Sequence, residues 1–337
     1  MSTQSVFIQS NEADANRVFG FPRADDGELS APVVIGTGGR GDGVPHLTSQ
    51  GSVVLTADGQ RLLVANAGSG DISVLTVAAS PEVVAVVRSG GTAPKSVAER
   101  DGLVYVVNTG DRSLAGFRMA DDGLGELSGS RRELGVDADP AQVGFTPNGE
   151  RLVVTDRGAN AILVFPVATD GSLGDPQTIP SAGPTPYGFT FAADDILVVT
   201  EAFGAAKGKA AASSYRLDSA GPEVVTTSVG NGRSEICWAV ASADGRHVFT
   251  TNFADGAVSC YSVSSGGELV LDDAVAAVAV DGEPGLRDED LSGDGQFLYA
   301  IDADGGRVLG WRVDEGVLTP VGSWNGLPTT IAGLAAN

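Results

Sequence analysis

Two histidines and two cysteines leave little room for nucleophilic or zinc chemistry in this chain, so any reaction must rest mainly on carboxylates, arginines and aromatics. His46, in the Gly- and Pro-containing stretch GRGDGVPHLTSQG, is a candidate general base, because an imidazole titrates near neutrality. Glu201 ends an apolar stretch at a position where the other repeats carry Asn or Asp. Shorter side chains there would cap the following turn, whereas the longer Glu could point inward as an acid, base or ligand. Arg157 and Arg287 suit bidentate binding of a carboxylate, with an Arg–Asp structural pair between repeats as the competing account. Tyr187 and Trp238 offer flat walls for a small ligand or, equally, packing surface. Gln142, Lys95 and Asp288 complete the set, and Asp288 with Asp290 alternates along one strand toward a common side. No cofactor is expected. A divalent metal held by Asp, Glu and Asn oxygens is the alternative, but nothing in the spacing sets its ligand geometry. There is no Gly-x-Ser-x-Gly, Walker A or Cys/His zinc pattern.

These residues are far apart in sequence, so they form one site only if the fold brings them to a common axis. An internal repeat predicts that it does. The clearest copies are SVVLTADGQRLLVANAGSGDISVLTV from Ser52, AQVGFTPNGERLVVTDRGANAILVFPV from Ala141 and WAVASADGRHVFTTNFADGAVSCYSV from Trp238, with DEDLSGDGQFLYAIDADGGRVLGWRV from Asp288 close behind. One column of polar residues, ending each second strand, reads Asn11, Asn66, Asn108, Asp156, Glu201, Asn252 and Asp302. A second column, on each third strand, reads Phe21, Leu75, Phe117, Phe165, Tyr215, Tyr261 and Trp311. Both have seven members, 42 to 55 residues apart, which with four strands per unit predicts an all-β, seven-bladed β-propeller. Asp58-Gly59, Asn148-Gly149, Asp244-Gly245 and Asp294-Gly295 supply turn residues for two-residue hairpins.

The expected domain is a single propeller with blades over 5–40 plus 328–337, 44–90, 91–135, 136–181, 182–230, 231–281 and 282–327. Blade 1 opens on VFIQSN, a second strand with no inner strand before it, and the last segment, from Thr329, has inner-strand character with nothing after it. Pairing the two closes the ring. The candidate residues then gather at the mouth where inner strands begin and second strands end, with His247 at the other end.

Composition narrows the partners. Lys+Arg 21 against Asp+Glu 43 gives a formal charge of −22, which repels phosphate backbones and anionic membranes. The partner expected is therefore a small anionic or lactone molecule, with no nucleic acid, no membrane and a monomeric chain. The start, MSTQSVFIQSNEADANRVF, lacks a basic n-region followed by an apolar run. Cys237 and Cys260 fall on non-adjacent strands of one blade, about 9–10 Å apart at the usual strand spacing, too far for a disulfide. A cytoplasmic location is expected.

Motifs such as FTPNGERLVVTD, VASADGRHVFTTN and LSGDGQFLYAID resemble the lactonase-type seven-bladed propellers, over essentially the whole chain. That group includes bacterial 6-phosphogluconolactonases and fungal carboxymuconate-lactonising enzymes. A narrower resemblance, to a branch of that group, runs through Ser49-Gln50-Gly51-Ser52, AGPTPYGFTF from Ala182 and TEAFGAAKGKAAASSYRL from Thr200. The resemblance implies an enzyme acting on a small carboxylated lactone or cyclic metabolite by hydrolysis, lactonisation or isomerisation. Where lactone-handling members carry Pro-His, this chain reads Pro140-Ala141-Gln142; where they carry Pro-Arg-His, it reads Pro184-Thr185-Pro186-Tyr187. Glu201 keeps a family-like acid. On this reading Arg157 and Arg287 hold the carboxylate, and Glu201 or His46 moves the proton. The alternative is a non-catalytic propeller that binds a metabolite or protein on its rim.

Overall fold

A computed structural model describes residues 4–44, 47–78, 81–218, 221–280 and 282–337. Seven antiparallel sheets form a ring. In blades 2 to 7 the chain runs outward from the axis. Blade 4, for example, comprises Pro140–Phe145, Arg151–Asp156, Ala161–Pro166 and Gln177–Pro180. In blade 3 the outer strand is split into Gly123–Glu126 and Arg132–Glu133, both paired to Ser113–Ala120.

Closure is as the terminal segments imply. Gly333–Ala336 pairs antiparallel with Ser5–Gln9, Val6 opposite Ala336 and Gln9 opposite Gly333, and supplies blade 1 with its inner strand. Two side chains reinforce the seam. The Ser5 N–H donates to the Asn337 side-chain oxygen at 2.6 Å, and Arg23 reaches Asp294 of blade 7 at 2.9 Å.

The large-residue column falls in a single register. Phe21, Leu75, Phe117, Phe165, Tyr215, Tyr261 and Trp311 lie opposite Val6, Leu62, Val104, Leu152, Leu197, Val248 and Leu298, the second residue of each second strand. All seven are buried. They join apolar clusters that bridge neighbouring blades: Phe117 lies in the cluster of blades 2 and 3, Phe165 in that of blades 3 and 4, and Trp311 in that of blades 6 and 7. Both faces of each middle strand are therefore covered, which explains the continuous apolar runs in the sequence.

The Asp-Gly and Asn-Gly turns differ from expectation. They sit in five-residue loops, such as 56–60 and 146–150, rather than two-residue hairpins. The reason is the Ser or Thr that opens each loop. Its hydroxyl accepts the backbone N–H of the residue five positions on (Arg61 to Thr56 at 3.0 Å, Phe297 to Ser292 at 3.0 Å) and donates to the Asp or Asn two positions on. The glycine at φ +65° to +73° then turns the chain where a Cβ would be strained. In blade 1, Asn11 lies past the end of its strand at φ 51° and bonds Asp42 and the Val44 carbonyl, so that member of the polar column is displaced.

Candidate functional site

All inner strands run the same way along the axis, so it has an entry end, where they begin, and an exit end. In blades 3 to 7 the inner strand carries a β-bulge close to its start. The residues it leaves out of register are Lys95, Ala141, Tyr187 with Gly188, Cys237, and Arg287 with Asp288. A bulge re-aims the side chain it displaces. Ala141, Tyr187 and Cys237 accordingly leave the interblade clusters and meet Trp238 in a separate apolar knot at the axis. The second position of each inner strand is thus the column from which this chain builds its entry end. Lys95, Tyr187 and Arg287 were legible as candidates; the column itself was not.

Four predicted residues come together there. Trp238 is fully buried and packs against Tyr187 with ring centroids 5.5 Å apart. The Arg157 guanidinium lies 5.0 Å from the Tyr187 ring centre and pairs with Asp139 at 2.7 Å. Arg287 stacks 4.8 Å from the Phe253 ring centre and pairs with Asp304 at 3.3 Å. Each arginine's aspartate belongs to its own blade, not to a neighbouring one. Both guanidiniums act electrostatically on the Tyr187 hydroxyl and on the Cys237 thiol. Burial dominates, however, and holds the pKa of Tyr187 well above that of an ordinary phenol, so it is a neutral donor. Its hydroxyl has no hydrogen-bond partner among the described residues. Burial likewise pushes the Cys237 thiol up and leaves it unreactive. Cys237 and Cys260 are free and buried.

Three other candidates are placed elsewhere. Glu201 does not face the axis. Its carboxylate accepts the Gly183 N–H at 2.8 Å and the Ser213 and Ser228 hydroxyls at 2.5 and 2.7 Å, all within blade 5, and the residue is fully buried. Asn66 and Asn252 make the corresponding bonds to Ser73 and Ser259, so Glu201 serves its column as a longer version of the same strut. Burial raises its pKa, with the two serines and Gly183 opposing. Gln142 straps blades 4 and 5 through both atoms of its amide, to Phe189 O at 3.0 Å and from Phe189 N at 2.6 Å. Asp288 turns from the bulge toward the closing strand and accepts the Leu334 N–H at 3.3 Å. His46 lies outside the described residues. In the Ala/Gly/Lys-rich stretch 204–212, the lysines 207 and 209 are exposed, but Ala210, Ala211 and Ala212 are core.

The axis is blocked between its ends by Ser49-Gln50-Gly51-Ser52. Gln50 leaves blade 2 and crosses to blade 6, donating to Ala239 O at 2.8 Å and accepting Ala239 N at 3.2 Å. Its carbonyl takes the Ser96 hydroxyl at 2.6 Å, the Ser49 hydroxyl bonds the Ala141 carbonyl, and the Trp238 indole N–H donates to Ser49 O at 3.0 Å. The crossing needs Gly188, because a Cβ there would stand 2.4 Å from the Gln50 amide oxygen.

Beyond this plug, at the exit end, a cavity of about 400 Å³ opens. Gln50 and Gln142 line it, together with Phe145, Phe191, Asp288, Glu289 and Asp290. The expected mouth is therefore the packed end, and the spacious one is opposite. Burial raises the pKa of all three acids, Asp290 to about 7. No group of three or more His, Cys, Asp or Glu among the described residues could hold a metal ion, and no described helix is long and apolar enough to cross a membrane.

Comparison with known proteins agrees with the architecture. The family described as "Lactonase, 7-bladed beta-propeller" matches residues 128–203 and 201–330. A protein from Lactobacillus plantarum superposes with a TM-score of 0.80 at 16% identity over 100% of both chains. A putative 6-phosphogluconolactonase from Bacteroides fragilis gives 0.73 at 16% identity, over 100% of this chain and 98% of the other. The periplasmic gluconolactonase PpgL of Pseudomonas aeruginosa gives 0.75 at 16% identity over 99% of each. At such identities the likeness is one of fold. No curated protein sequence matches the chain.

Proposed function

Because the chain belongs to the lactonase family of seven-bladed β-propellers, we propose that it hydrolyses a small carboxylated lactone or related cyclic metabolite at the entry end of its axis. The observation that carries this reading is the Arg157 guanidinium stacked on the Tyr187 ring, whose buried, unpartnered hydroxyl also feels the charge of Arg287 from blade 7. Arg157 and Arg287 exchange Asp139 and Asp304 for the substrate's carboxylate as the packed knot around the Tyr187 hydroxyl opens to admit it. Tyr187, kept neutral by burial, donates to the lactone carbonyl oxygen and to the oxyanion that forms there when water adds. The ring C–O bond then breaks, and the ring oxygen leaves as a hydroxyl on taking up the proton that the base removed from water. With Glu201 engaged inside its blade, the base role falls to His46, on sequence grounds alone.

The test is turnover of a panel of carboxylated and uncharged lactones. Tyr187→Phe is expected to lower kcat by about 10²-fold, the usual loss for one oxyanion donor. Arg157→Ala is expected to raise KM for carboxylated lactones and leave uncharged ones alone. His46→Ala is expected to abolish turnover. If all three variants turn over every lactone at the wild-type rate, the mechanism is wrong.

The withdrawal of Glu201 favours one other reading, a non-catalytic propeller that binds a carboxylated metabolite with the same arginines. Saturable binding of hydroxy acids by a wild-type protein that hydrolyses no lactone would select it.

A further inference from the structure

The outer strand of each blade pairs on one side only, with the third strand, and its other side offers free N–H and C=O groups to any further strand. Five of these seven edges carry a device that discourages such pairing. In blade 3 the edge is split into two short pieces. In blade 4 it is four residues long and ends on Pro180. Blade 5 carries Glu223 and two register shifts, blade 6 carries Asp272, Asp273 and two shifts, and blade 7 carries Pro320 and one shift.

Blades 1 and 2, which are neighbours, are different. Their outer strands, Val33–Gly36 and Val83–Arg88, hold no proline and no acid. A Cβ on Gly38, two residues past the first strand, would stand 3.0 Å from Val86, so the two edges adjoin. The second strand has a further property. Glu82-Val83-Val84-Ala85-Val86-Val87-Arg88 reads nearly the same in both directions, with an acid at one end and a base at the other. Val84, Ala85 and Val87 pack on the cluster of blades 2 and 3, while Val83 and Val86 are left 36% and 43% exposed. A bulge at Val84 explains this, because the extra residue brings Val83 round to the face of Val86. Arg88 donates to the Ser69 carbonyl at 2.7 Å. Among the described residues neither Arg88 nor Glu82 has an ion-pair partner.

We propose that Val83–Arg88 is an interface for a second copy of this chain, which pairs through the same strand, antiparallel and about a two-fold axis. In that arrangement Val83 lies against Val86 of the second copy, and Val86 against its Val83, so the exposed valines cover each other. Each Glu82 is carried to the end where the other chain's Arg88 lies. A parallel copy would set acid by acid and base by base. The occupant is a copy of this chain because the strand is its own complement in shape and charge. The interface is small and each chain carries a charge of −22, so the dimer is expected to be a weak one.

Sedimentation velocity of the full chain at physiological salt, from about 5 to about 500 µM, covers the range in which small interfaces associate. The mass is expected to rise from that of one chain toward that of two. Val86→Lys, a charge of the kind that natural edges use against pairing, is expected to hold it at one chain throughout. Glu82→Arg and Arg88→Glu are each expected to weaken the dimer about tenfold, because each puts like charges together at both ends. An equimolar mixture of those two variants is expected to recover wild-type association, since each then meets its opposite. A monomer at every concentration, a dimer indifferent to Val86→Lys, or a mixture that associates no better than either variant alone overturns the proposal. Should Val86→Lys fail to fold, the two charge variants and their mixture decide. The outcome is independent of the lactone assay, which reads residues at the axis.

Discussion

The two ends of the axis are built from the same inner strands and are chemical opposites. At the entry end, bulges turn Tyr187, Cys237 and Arg287 inward, and guanidiniums stack on aromatic rings in a filled knot. At the exit end the strands run in regular register, and Asp288, Glu289 and Asp290 line an open chamber. A single strand, Leu286–Leu291, supplies Arg287 to one end and the acids to the other. In this ring, register relative to the bulge decides the chemistry, and a shift of one residue would exchange it.

The severest way to break the comparison is to open the ring. Without residues 329–337, blade 1 has no inner strand and Asp288 and Asp290 lose the Leu334 and Ala336 N–H groups, so both ends lose their wall. The truncated chain is expected to be insoluble or to melt far below the full one; equal melting curves would disprove closure by this strand. A milder break removes the partition. Gly188→Ala sets a Cβ against Gln50 and the Cys237 carbonyl, and overpacking of this kind costs about 1–3 kcal/mol. Chemical denaturation should show that loss, and Gln50→Ala introduced with it should recover part.

The acids sharpen the contrast through pH. A carboxyl whose folded pKa lies above its unfolded value is bound by more protons in the folded state, so stability falls as pH rises between the two. For Asp290 that window runs from the ordinary carboxyl value, 3.8, to about 7, and Asp288 and Glu289 act in the same direction. Asp290→Asn should therefore flatten the decline of melting temperature from pH 4 to pH 7. An unaltered slope would show that Asp290 is charged throughout. The smallest effect is expected from replacing Lys207 and Lys209 by alanine. Both are exposed, and the change in stability should stay within about 0.5 kcal/mol. Loss of lactone turnover in that double variant would move the substrate from the axis to the rim.

The fold was readable because its determinants repeat. The column from Phe21 to Trp311 recurs at every third strand, and all seven members share one register in the ring. The site was readable only in part. Arg157, Tyr187, Trp238 and Arg287 carried a signal in residue type, and they do meet. Glu201 misled because its length suggested reach, while Ser213 and Ser228, one and two strands outward, supply bonds that hold it in its blade. Gln142 and Asp288 were aimed at the wrong end, because bulges are defined by the pairing partner and not by the strand's own residues. The second inner-strand residues of blades 3 to 7, Lys95, Ala141, Tyr187, Cys237 and Arg287, share no residue type that would mark them as one column.

Gln50 has one more implication. Both bonds of its carboxamide go to the main chain of Ala239, so the tie is indifferent to side chains and sensitive only to span. A ring with one sector fewer or more would bring that main chain too close or carry it out of reach. This tie-rod therefore gauges circumference, and a ring with a sector duplicated or lost would have to give up the bond from Gln50 to Ala239.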